Sequence, residues 1–388
     1  MSHAQQASPL EAAATSVARL PRTGLWVPCE GSQRVLEHPE RTAALIETAH
    51  ALGATDLFVQ VFRGGRAWFD SSLADAAPYR EQAARGADPL RALVAAAHGA
   101  GLRVHAWVNV LSLGARRDGP LLAALGPGAV QADRDGRSLL EYPDLQVPES
   151  ERRWARIGTP SIWIDPGAPD VAPRLAAVFA ELAARYPELD GLHLDYIRYP
   201  DVLPFTPGAR FDVGLDFGFG APTRARFAEQ TGLEAPLARD SRNAAAFDDW
   251  RRAQVTALVR EIGLAARAAR PGLALSAAVW AYPERAYLSL MQDWGRWLDE
   301  GLLDFAVAMA YARDPRLFTL QARASAAAGG PRTWIGLGAW LFSEAPQGAA
   351  RQLGEARALA TDGVAFFSYD ALAESPQLSA ALSTRPAP

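Results

Sequence analysis

Eight short apolar runs in this chain alternate with longer segments in which apolar residues recur at helical spacing. The runs cover residues 24–28, 56–62, 102–110, 189–195, 273–279, 303–311, 333–340 and 363–369. Helices are predicted at 39–52, 88–99, 243–270, 287–300, 315–328 and 347–360, and a further helix is marked by Leu175, Val178, Phe179 and Leu182. Eight strand–helix units favour a closed (β/α)8 TIM barrel, an α/β fold, over an open doubly wound sheet.

Two segments break this alternation, and we expect both to form long loops. Residues 111–165 follow the third predicted strand, and residues 201–221 follow the fourth; both are rich in glycine and proline. Loops of that length in a compact domain are usually functional. Residues 1–22 are rich in alanine and serine and are expected to form a flexible N-terminal arm, which leaves 23–388 as a single barrel domain.

The fourth predicted strand ends in the carboxylate of Asp195. Because strand residues alternate between faces, Gly191, His193 and Asp195 share one side, while Leu192 and Leu194 share the other. The leucines are expected to face the helices, so His193 and Asp195 should point into the barrel. An inward carboxylate at this end of a strand is costly unless it is paired or functional, and TIM-barrel active sites lie at this end. Asp195 is therefore the first candidate for catalysis.

Other polar and aromatic residues near the strand ends should meet Asp195 at the same face of the barrel. They are Glu30, Arg63, His105, Trp107, Asn109, Asp165, Tyr196, Arg198, Trp280, Glu284, Tyr311, Trp340, Glu344 and Tyr369. Aromatic rings can stack on sugars, and a pair of carboxyl groups can cleave a glycosidic bond. The set predicts a sugar site, although a purely structural role is an equal alternative for any single acid at the rim.

Charge and cysteine content exclude several other classes of protein. The formal net charge is −4 without a basic stripe, so a nucleic-acid partner is not expected. Cys29 is the single cysteine, so we do not expect a disulfide. No Cys/His cluster has metal-ligand spacing, and no cofactor is expected. A metal site that uses His105 and His193 is the less favoured alternative. No apolar run approaches the ~20 residues of a membrane span. A monomer is favoured, with the oligomeric state left open.

The block Asp-Gly-Leu-His-Leu-Asp-Tyr-Ile-Arg-Tyr-Pro at 190–200 resembles the signature of the glycosyl-hydrolase-like-10 family. Blocks at 24–27, 57–61, 105–109, 163–167 and 363–369 extend the resemblance, in order, over about residues 24 to 375. It implies a TIM-barrel glycosidase fold and a bacterial envelope glycan as substrate, with peptidoglycan strands as the best candidate. It also implies an exported or periplasmic protein, although the N-terminus lacks the basic start and apolar core of a signal peptide.

The resemblance also bears on the catalytic residues. Asp195 matches the strand-four aspartate of the family, and Glu30 stands where relatives often have an aspartate after strand one. The same block is similar to the chitinase-type motif Asp-Gly-x-Asp-x-Asp-x-Glu, but Ile197 occupies the position of the final acid. The partner of Asp195 must then come from another strand. We favour Glu30, followed by Asp165, Glu284 and Glu344.

Together these features predict a glycoside hydrolase with Asp195 and Glu30 as its catalytic pair. The expected sugar platforms are Trp107, Trp280, Tyr311, Trp340 and Tyr369, and the expected ligands of hydroxyl, acetamido or carboxylate groups are Arg63, Asn109 and Arg198. Two alternatives remain. The barrel could bind glycans without cleaving them, as the missing acid at Ile197 suggests, or it could be a metal-dependent hydrolase.

Overall fold

Eight parallel strands close into a barrel in the computed structural model, which describes residues 22–152, 155–204, 215–238 and 240–384. The strands are β1 (Arg22–Val27), β2 (Asp56–Arg63), β3 (Arg103–Asn109), β4 (Gly191–Asp195), β5 (Ala274–Trp280), β6 (Phe305–Met309), β7 (Thr333–Gly338) and β8 (Gly363–Phe367). Each strand pairs in parallel with the next, and β8 pairs with β1. The predicted (β/α)8 TIM barrel is confirmed.

Helices cover the outside of this barrel. They are α1 (Thr42–Ala51), α2 (Ala77–Ala83), α3 (Pro89–Gly99), α4 (Pro120–Leu125), α5 (Val171–Arg185), α6 (Ala221–Thr231), α7 (Ala244–Ala269), α8 (Pro283–Ser289), α9 (Trp294–Asp299), α10 (Pro315–Gly329), α11 (Pro346–Arg357), α12 (Tyr369–Glu374) and α13 (Pro376–Leu382). No helix within the described ranges is long and apolar enough to cross a membrane.

The single helix predicted over 287–300 is wrong, because the segment forms two helices. Between α8 and α9, Met291 has φ +55°, a left-handed conformation that does not continue a right-handed helix. The break sends the Gln292 side chain inward, where it accepts a hydrogen bond from the backbone N–H of Trp280 at 2.9 Å. The interruption therefore ties this connection to the end of β5.

The two predicted loops carry secondary structure of their own. The connection after β3 contains α4 and the strand Ala155–Ile157, which pairs antiparallel with Val202–Pro204 from the connection after β4. Buried Arg251 of α7 anchors the second connection, because its Nη1 and Nη2 bind the Asp216 carboxylate at 2.8 and 2.9 Å. Parts of both segments, 153–154 and 205–214, lie outside the described residues, as does the predicted N-terminal arm except for Arg22, which begins β1.

The barrel interior is filled with aromatic rings and two buried histidines, His105 and His193. Phe58 stacks on the His193 ring with centroids 4.3 Å apart, and Phe305 stacks on Trp334 at 4.5 Å. His193 Nε2 accepts a hydrogen bond from Trp26 Nε1 at 3.2 Å, and its Nδ1 lies 2.8 Å from the Ser276 hydroxyl. Burial lowers the pKa of His193 well below its usual range, so we infer a neutral ring.

We expect His193 to make folding stability depend on pH near neutrality. The unfolded chain protonates this histidine below about pH 6.5, whereas the folded chain does not, so stability falls as the pH falls below that value. One such proton corresponds to about 1.4 kcal/mol per pH unit. The free energy of unfolding, measured by urea denaturation at several pH values between 7.5 and 5, should depend on pH less steeply in His193→Gln, by up to this amount per pH unit. A slope unchanged from the wild type would contradict the prediction; His38→Gln, an exposed histidine, is the control.

Candidate active site

Asp195 lies at the C-terminal end of β4 with its carboxylate facing the barrel interior. Its Oδ2 accepts a hydrogen bond from Trp107 Nε1 at 3.1 Å, and its Oδ1 accepts one from the backbone N–H of Tyr196 at 2.6 Å. Burial raises the pKa of Asp195, although the Tyr196 N–H, the Arg198 charge and the Trp107 bond each oppose that change. The result is a buried carboxyl group that can hold a proton and has two donors for its ionised form.

Tyr196, directly after Asp195, has an uncommon backbone conformation. Its φ is +51°, in the left-handed region that bulky residues rarely occupy. This conformation turns the chain out of the strand and allows its N–H to reach the Asp195 carboxylate. Backbone outliers of this kind cluster at functional sites, where the surrounding structure holds them in place.

An amide pair on β2 and β3 extends the polar centre. Asn109 is the parallel-register partner of Asp195, and its Oδ1 accepts a hydrogen bond from Gln60 Nε2 at 3.1 Å. Gln60 in turn accepts a bond from the Cys29 N–H at 3.3 Å. Gln60 fixes which way the Asn109 amide faces. The hydrogen bonds from Cys29 to Gln60 and from Gln60 to Asn109 therefore orient an amide group beside Asp195.

A cleft of about 390 Å³ opens at this end of the barrel. Its lining includes Glu30, Arg63, Arg66, Asn109, Ser112, Arg116, Thr159, Ser161 and Tyr196. Glu30 is 38% exposed and bridges two guanidinium groups, with Oε2 3.0 Å from Arg63 Nε and Oε1 3.1 Å from Arg66 Nη1. The cleft therefore holds one carboxylate and an excess of arginines next to Asn109 and Tyr196.

Three aromatic rings form the opposite side of the centre. Tyr311 lies edge-on to Trp340 with centroids 4.8 Å apart, and both pack against Phe367. Trp340 is 40% exposed at the rim. Burial raises the pKa of Tyr311 well above its usual range, and the nearby Asp195 charge adds to this; its buried hydroxyl has no hydrogen-bond partner in the described structure. Tyr311 and Trp340 thus lie together just after β6 and β7, and their role as sugar platforms stays a prediction.

Two predicted ligand-binding residues lie elsewhere. His105 sits near the N-terminal end of the barrel, where its Nε2 is 2.9 Å from Asp56 Oδ1, and Gly191 leaves room for its ring because a Cβ there would lie 2.1 Å from Nδ1. Asp165 is fully buried and accepts hydrogen bonds from Thr223 at 2.7 Å and from the Gly167 N–H at 2.8 Å. Both are structural groups, so neither is retained as a substrate ligand or as the partner of Asp195.

Two other residues support the site instead of lining it. Trp107 is 3% exposed, too buried for a sugar platform, and serves as the donor to Asp195 described above. Arg198 is buried; its Nη1 binds Asp201 at 3.0 Å and its guanidinium lies 5.0 Å from the Trp163 ring centroid. It acts on Asp195 through its charge and is not available to hold a substrate group.

The remaining predicted residues are more peripheral. Arg198 and Arg285 lie 5.5 and 4.9 Å from the half-buried Trp280 ring, which limits its use as a platform. Tyr369 is 1% exposed and begins α12 in the outer helical layer, so it is not a platform. Glu284 and Glu344 are exposed on the connections after β5 and β7, and neither lines the cleft. Glu30 is therefore the predicted partner carboxylate that the cleft retains.

Sequence reasoning missed Gln60, Arg66 and Arg116. Inward alternation on β2 already places Gln60 on the face of Asp56 and Phe58. A two-residue Gly64-Gly65 turn, with φ +60° and +72°, pairs Arg63 with Arg66 across a tight hairpin. Both signals were present in the sequence. Arg116 comes from the long connection after β3, whose path the sequence does not define.

No group of three or more His, Cys, Asp or Glu side chains within the described ranges could hold a metal ion. A closed parallel barrel with a buried carboxyl group, an amide and an aromatic cluster that includes the exposed Trp340 at the C-terminal ends of its strands is a glycosidase-like barrel. The family model for glycosyl hydrolase-like 10 matches residues 22–328, and the chain belongs to this family.

Relatives and structural neighbours agree with this class. "Glycosyl hydrolase DigH" of Escherichia coli K12 is 25% identical over 277 residues, which cover 67% of this chain and 55% of that protein. "Glycosyl hydrolase YngK" of Bacillus subtilis 168 is 22% identical over 302 residues, covering 73% and 51%. The chain thus spans about half the length of these curated relatives. The β-amylase catalytic domain of Paenibacillus polymyxa shares the fold, with a TM-score of 0.56 at 13% identity and coverage of 95% and 96%.

Proposed function

We propose that the protein is a glycoside hydrolase in which Asp195 is the general acid. The observation that supports this most directly is the buried Asp195 carboxyl group, whose pKa is raised by burial and whose two oxygens each face an N–H donor. A neutral carboxylic acid can protonate the leaving-group oxygen of a glycoside. The Trp107 and Tyr196 donors then stabilise the carboxylate that proton transfer leaves behind.

Glu30 is the proposed second carboxyl group, acting as base or nucleophile. It is the single carboxylate among the residues that line the cleft, and it follows β1, three strands from β4 in the barrel order. Asn109, oriented by Gln60, would hold a hydroxyl or acetamido group between the two carboxyl groups. Tyr311 and Trp340 would carry the sugar rings on the opposite side.

The proposed substrate is a glycan of the bacterial envelope, with peptidoglycan strands as the first candidate. This choice rests on the sequence resemblance described above and on family membership. The charge of the cleft is compatible with it, because arginines outnumber carboxylates there. An exported or periplasmic location would follow from such a substrate.

A glycan-binding barrel without catalysis is the second candidate. One observation favours it: both oxygens of Glu30 already bind guanidinium groups, so this carboxylate must give up a bond before it attacks a sugar or activates water. In that case Asp195 and the aromatic rings would recognise a sugar without cleaving it.

Release of reducing ends tests the first candidate against the second. The protein is incubated with peptidoglycan strands stripped of their peptides, with chitin and with a panel of neutral polysaccharides, and new reducing ends are counted. A hydrolase releases them from at least one glycan. Absence of release from every glycan, together with a rise in melting temperature on adding a cell-wall oligosaccharide, would establish the binding barrel instead.

We expect Trp340→Ala to weaken substrate binding more than it slows the chemical step. The exposed indole offers stacking area that the alanine lacks, and its loss removes interactions made equally in the ground and transition states. KM should rise by roughly tenfold with little change in kcat, as measured on the cleaved glycan. Tyr287→Ala is the matched control, since Tyr287 is 39% exposed but packs on Arg252 of α7. An unchanged KM would remove Trp340 from the site.

A further inference from the structure

The cleft contains a pair of arginines that share one carboxylate. Arg63 and Arg66 face each other across the hairpin formed by β2 and the short strand Arg66–Ala67, so both side chains lie on one face of that hairpin. Glu30 bonds Arg63 through Nε and Arg66 through Nη1. Within the described structure, it is their only carboxylate within 4.0 Å. Two positive charges are therefore balanced by one negative charge.

The third arginine of the cleft is balanced in another way. Arg116 Nη1 binds Asp75 Oδ2 at 2.5 Å, and Asp75 lies outside the residues that line the cleft. Arg63 and Arg66 are therefore the cleft arginines that share a single direct carboxylate partner. Both are accessible, with side chains 44% and 32% exposed, and the Arg66 guanidinium is held in place 5.1 Å from the Trp68 ring centroid.

We propose that this cleft recognises a carboxylate-bearing sugar, whose carboxylate replaces Glu30 on Arg63 and Arg66. Two guanidinium groups that converge on one carboxylate form a site suited to another carboxylate. The exchange keeps a carboxylate on both guanidinium groups and releases both oxygens of Glu30, so that two negative charges then face the two positive charges. This last step rests on the proposed function: the released Glu30 becomes available as the second catalytic carboxyl group when an acidic sugar is bound.

Glu30 is thus an internal competitor of the ligand, and this gives the proposal its sharpest consequence. Removing the negative charge at position 30 should strengthen binding of an acidic sugar, although it removes a catalytic group. Removing a guanidinium should weaken the same binding. A neutral sugar of the same shape should respond to neither change.

Calorimetric titration of the full chain tests these opposite effects. Asp195→Asn is the background, so that turnover does not consume the ligand. The acidic probe is a tetrasaccharide of alternating N-acetylglucosamine and N-acetylmuramic acid with free lactyl carboxylates. The neutral probe is the same compound with those carboxylates reduced to alcohols. A galacturonic acid tetrasaccharide distinguishes a uronic acid from a lactyl group as the source of the carboxylate.

One of the two acidic probes should bind at least about tenfold more tightly than the neutral probe, as expected for charge-assisted hydrogen bonds. Arg66→Gln should abolish this difference, and Glu30→Gln should tighten binding of the acidic probe severalfold. The matched control is Arg260→Gln, since Arg260 is 43% exposed and pairs with Glu300 on the outer helices. The difference should also shrink at high salt.

Equal affinities for acidic and neutral probes would overturn the proposal, as would weaker acidic binding in Glu30→Gln or no measurable binding of any probe. Melting temperatures of the variants verify that each one is folded. The outcome is separate from that of the proposed function: a protein that cleaves no glycan can still discriminate between the probes, and a hydrolase can fail to do so.

Discussion

Asp195→Asn is expected to reduce turnover of the cleaved glycan by roughly 10²- to 10⁴-fold while leaving glycan binding largely intact. The amide has nearly the shape of the carboxyl group but cannot donate a proton to the leaving group, and general acid–base groups contribute roughly 10²–10⁴ to the rate. The effect should therefore appear in kcat and not in the affinity for the glycan. Initial rates of reducing-end release and a titration with the same oligosaccharide measure the two quantities.

The same substitution should also cost some stability. The Asp195 oxygens face two N–H donors, those of Trp107 and Tyr196, and an asparagine has one acceptor oxygen. One donor then faces an NH₂ group, a mismatch of about 1–3 kcal/mol. Asp314→Asn is a suitable control, because Asp314 caps the N-terminus of α10 and has no contact with the cleft. Turnover near the wild-type rate in folded Asp195→Asn would exclude Asp195 as the general acid.

The barrel could be predicted because its signals are local and repeated. Each strand is nearly continuous in apolar residues, and α5, α7, α10 and α11 carry the spacing of one buried face. Alternation on β4 was sufficient to turn His193 and Asp195 inward and Leu192 outward, and the structure agrees. The prediction of one helix over 287–300 was wrong, because a tertiary contact of Gln292 decides where the helix breaks.

The depth of each inward residue could not be predicted in the same way. Alternation places His105, Trp107 and Asn109 on one face of β3, but only the pairing of β3 with β4 decides their height in the barrel. Asn109 pairs with Asp195 and reaches the cleft, Trp107 lies one layer below, and His105 lies lower still. Register between distant strands is a long-range property, which explains why the sequence predicts all three at the substrate although only Asn109 reaches the cleft.

Residues after the strands presented a different problem. Tyr369 follows β8 closely, yet it begins a helix and turns into the outer layer. Asp165 lies in the long connection after β3, and its partner Thr223 comes from α6, far along the chain. Neither position follows from a local pattern. Glu30 and Arg63, in contrast, come within a few residues of a strand end and lie in the cleft.

The opposite end of the barrel contains a charge cluster around Asp56, the first residue of β2. The Asp56 side chain is fully buried; its carboxylate accepts hydrogen bonds from Arg22 Nε at 3.1 Å and from Arg103 Nε at 3.0 Å, and it lies 2.9 Å from His105 Nε2. These contacts of the Asp56 carboxylate link β2 to Arg22 on β1 and to Arg103 and His105 on β3. Burial alone would raise the pKa of Asp56, but the His105 hydrogen bond and the arginine charges lower it well below its usual range.

Asp56→Asn is expected to destabilise the fold by about 2–3 kcal/mol, because it removes the common partner of two guanidinium groups that keep partial access to water, with side chains 21% and 41% exposed. Urea denaturation at pH 7 measures the loss. Asp299→Asn, at an 83% exposed carboxylate, should change stability by less than about 0.5 kcal/mol.

The stability lost in Asp56→Asn should also depend on pH in a defined direction. Since the folded-state pKa of Asp56 is depressed, its stabilisation is complete above about pH 4 and declines as the pH falls below that value. The wild type then comes to resemble the asparagine variant, so their difference should shrink between pH 4 and pH 2. A difference that stays constant over this range would show that the carboxylate charge of Asp56 does not hold these strands together.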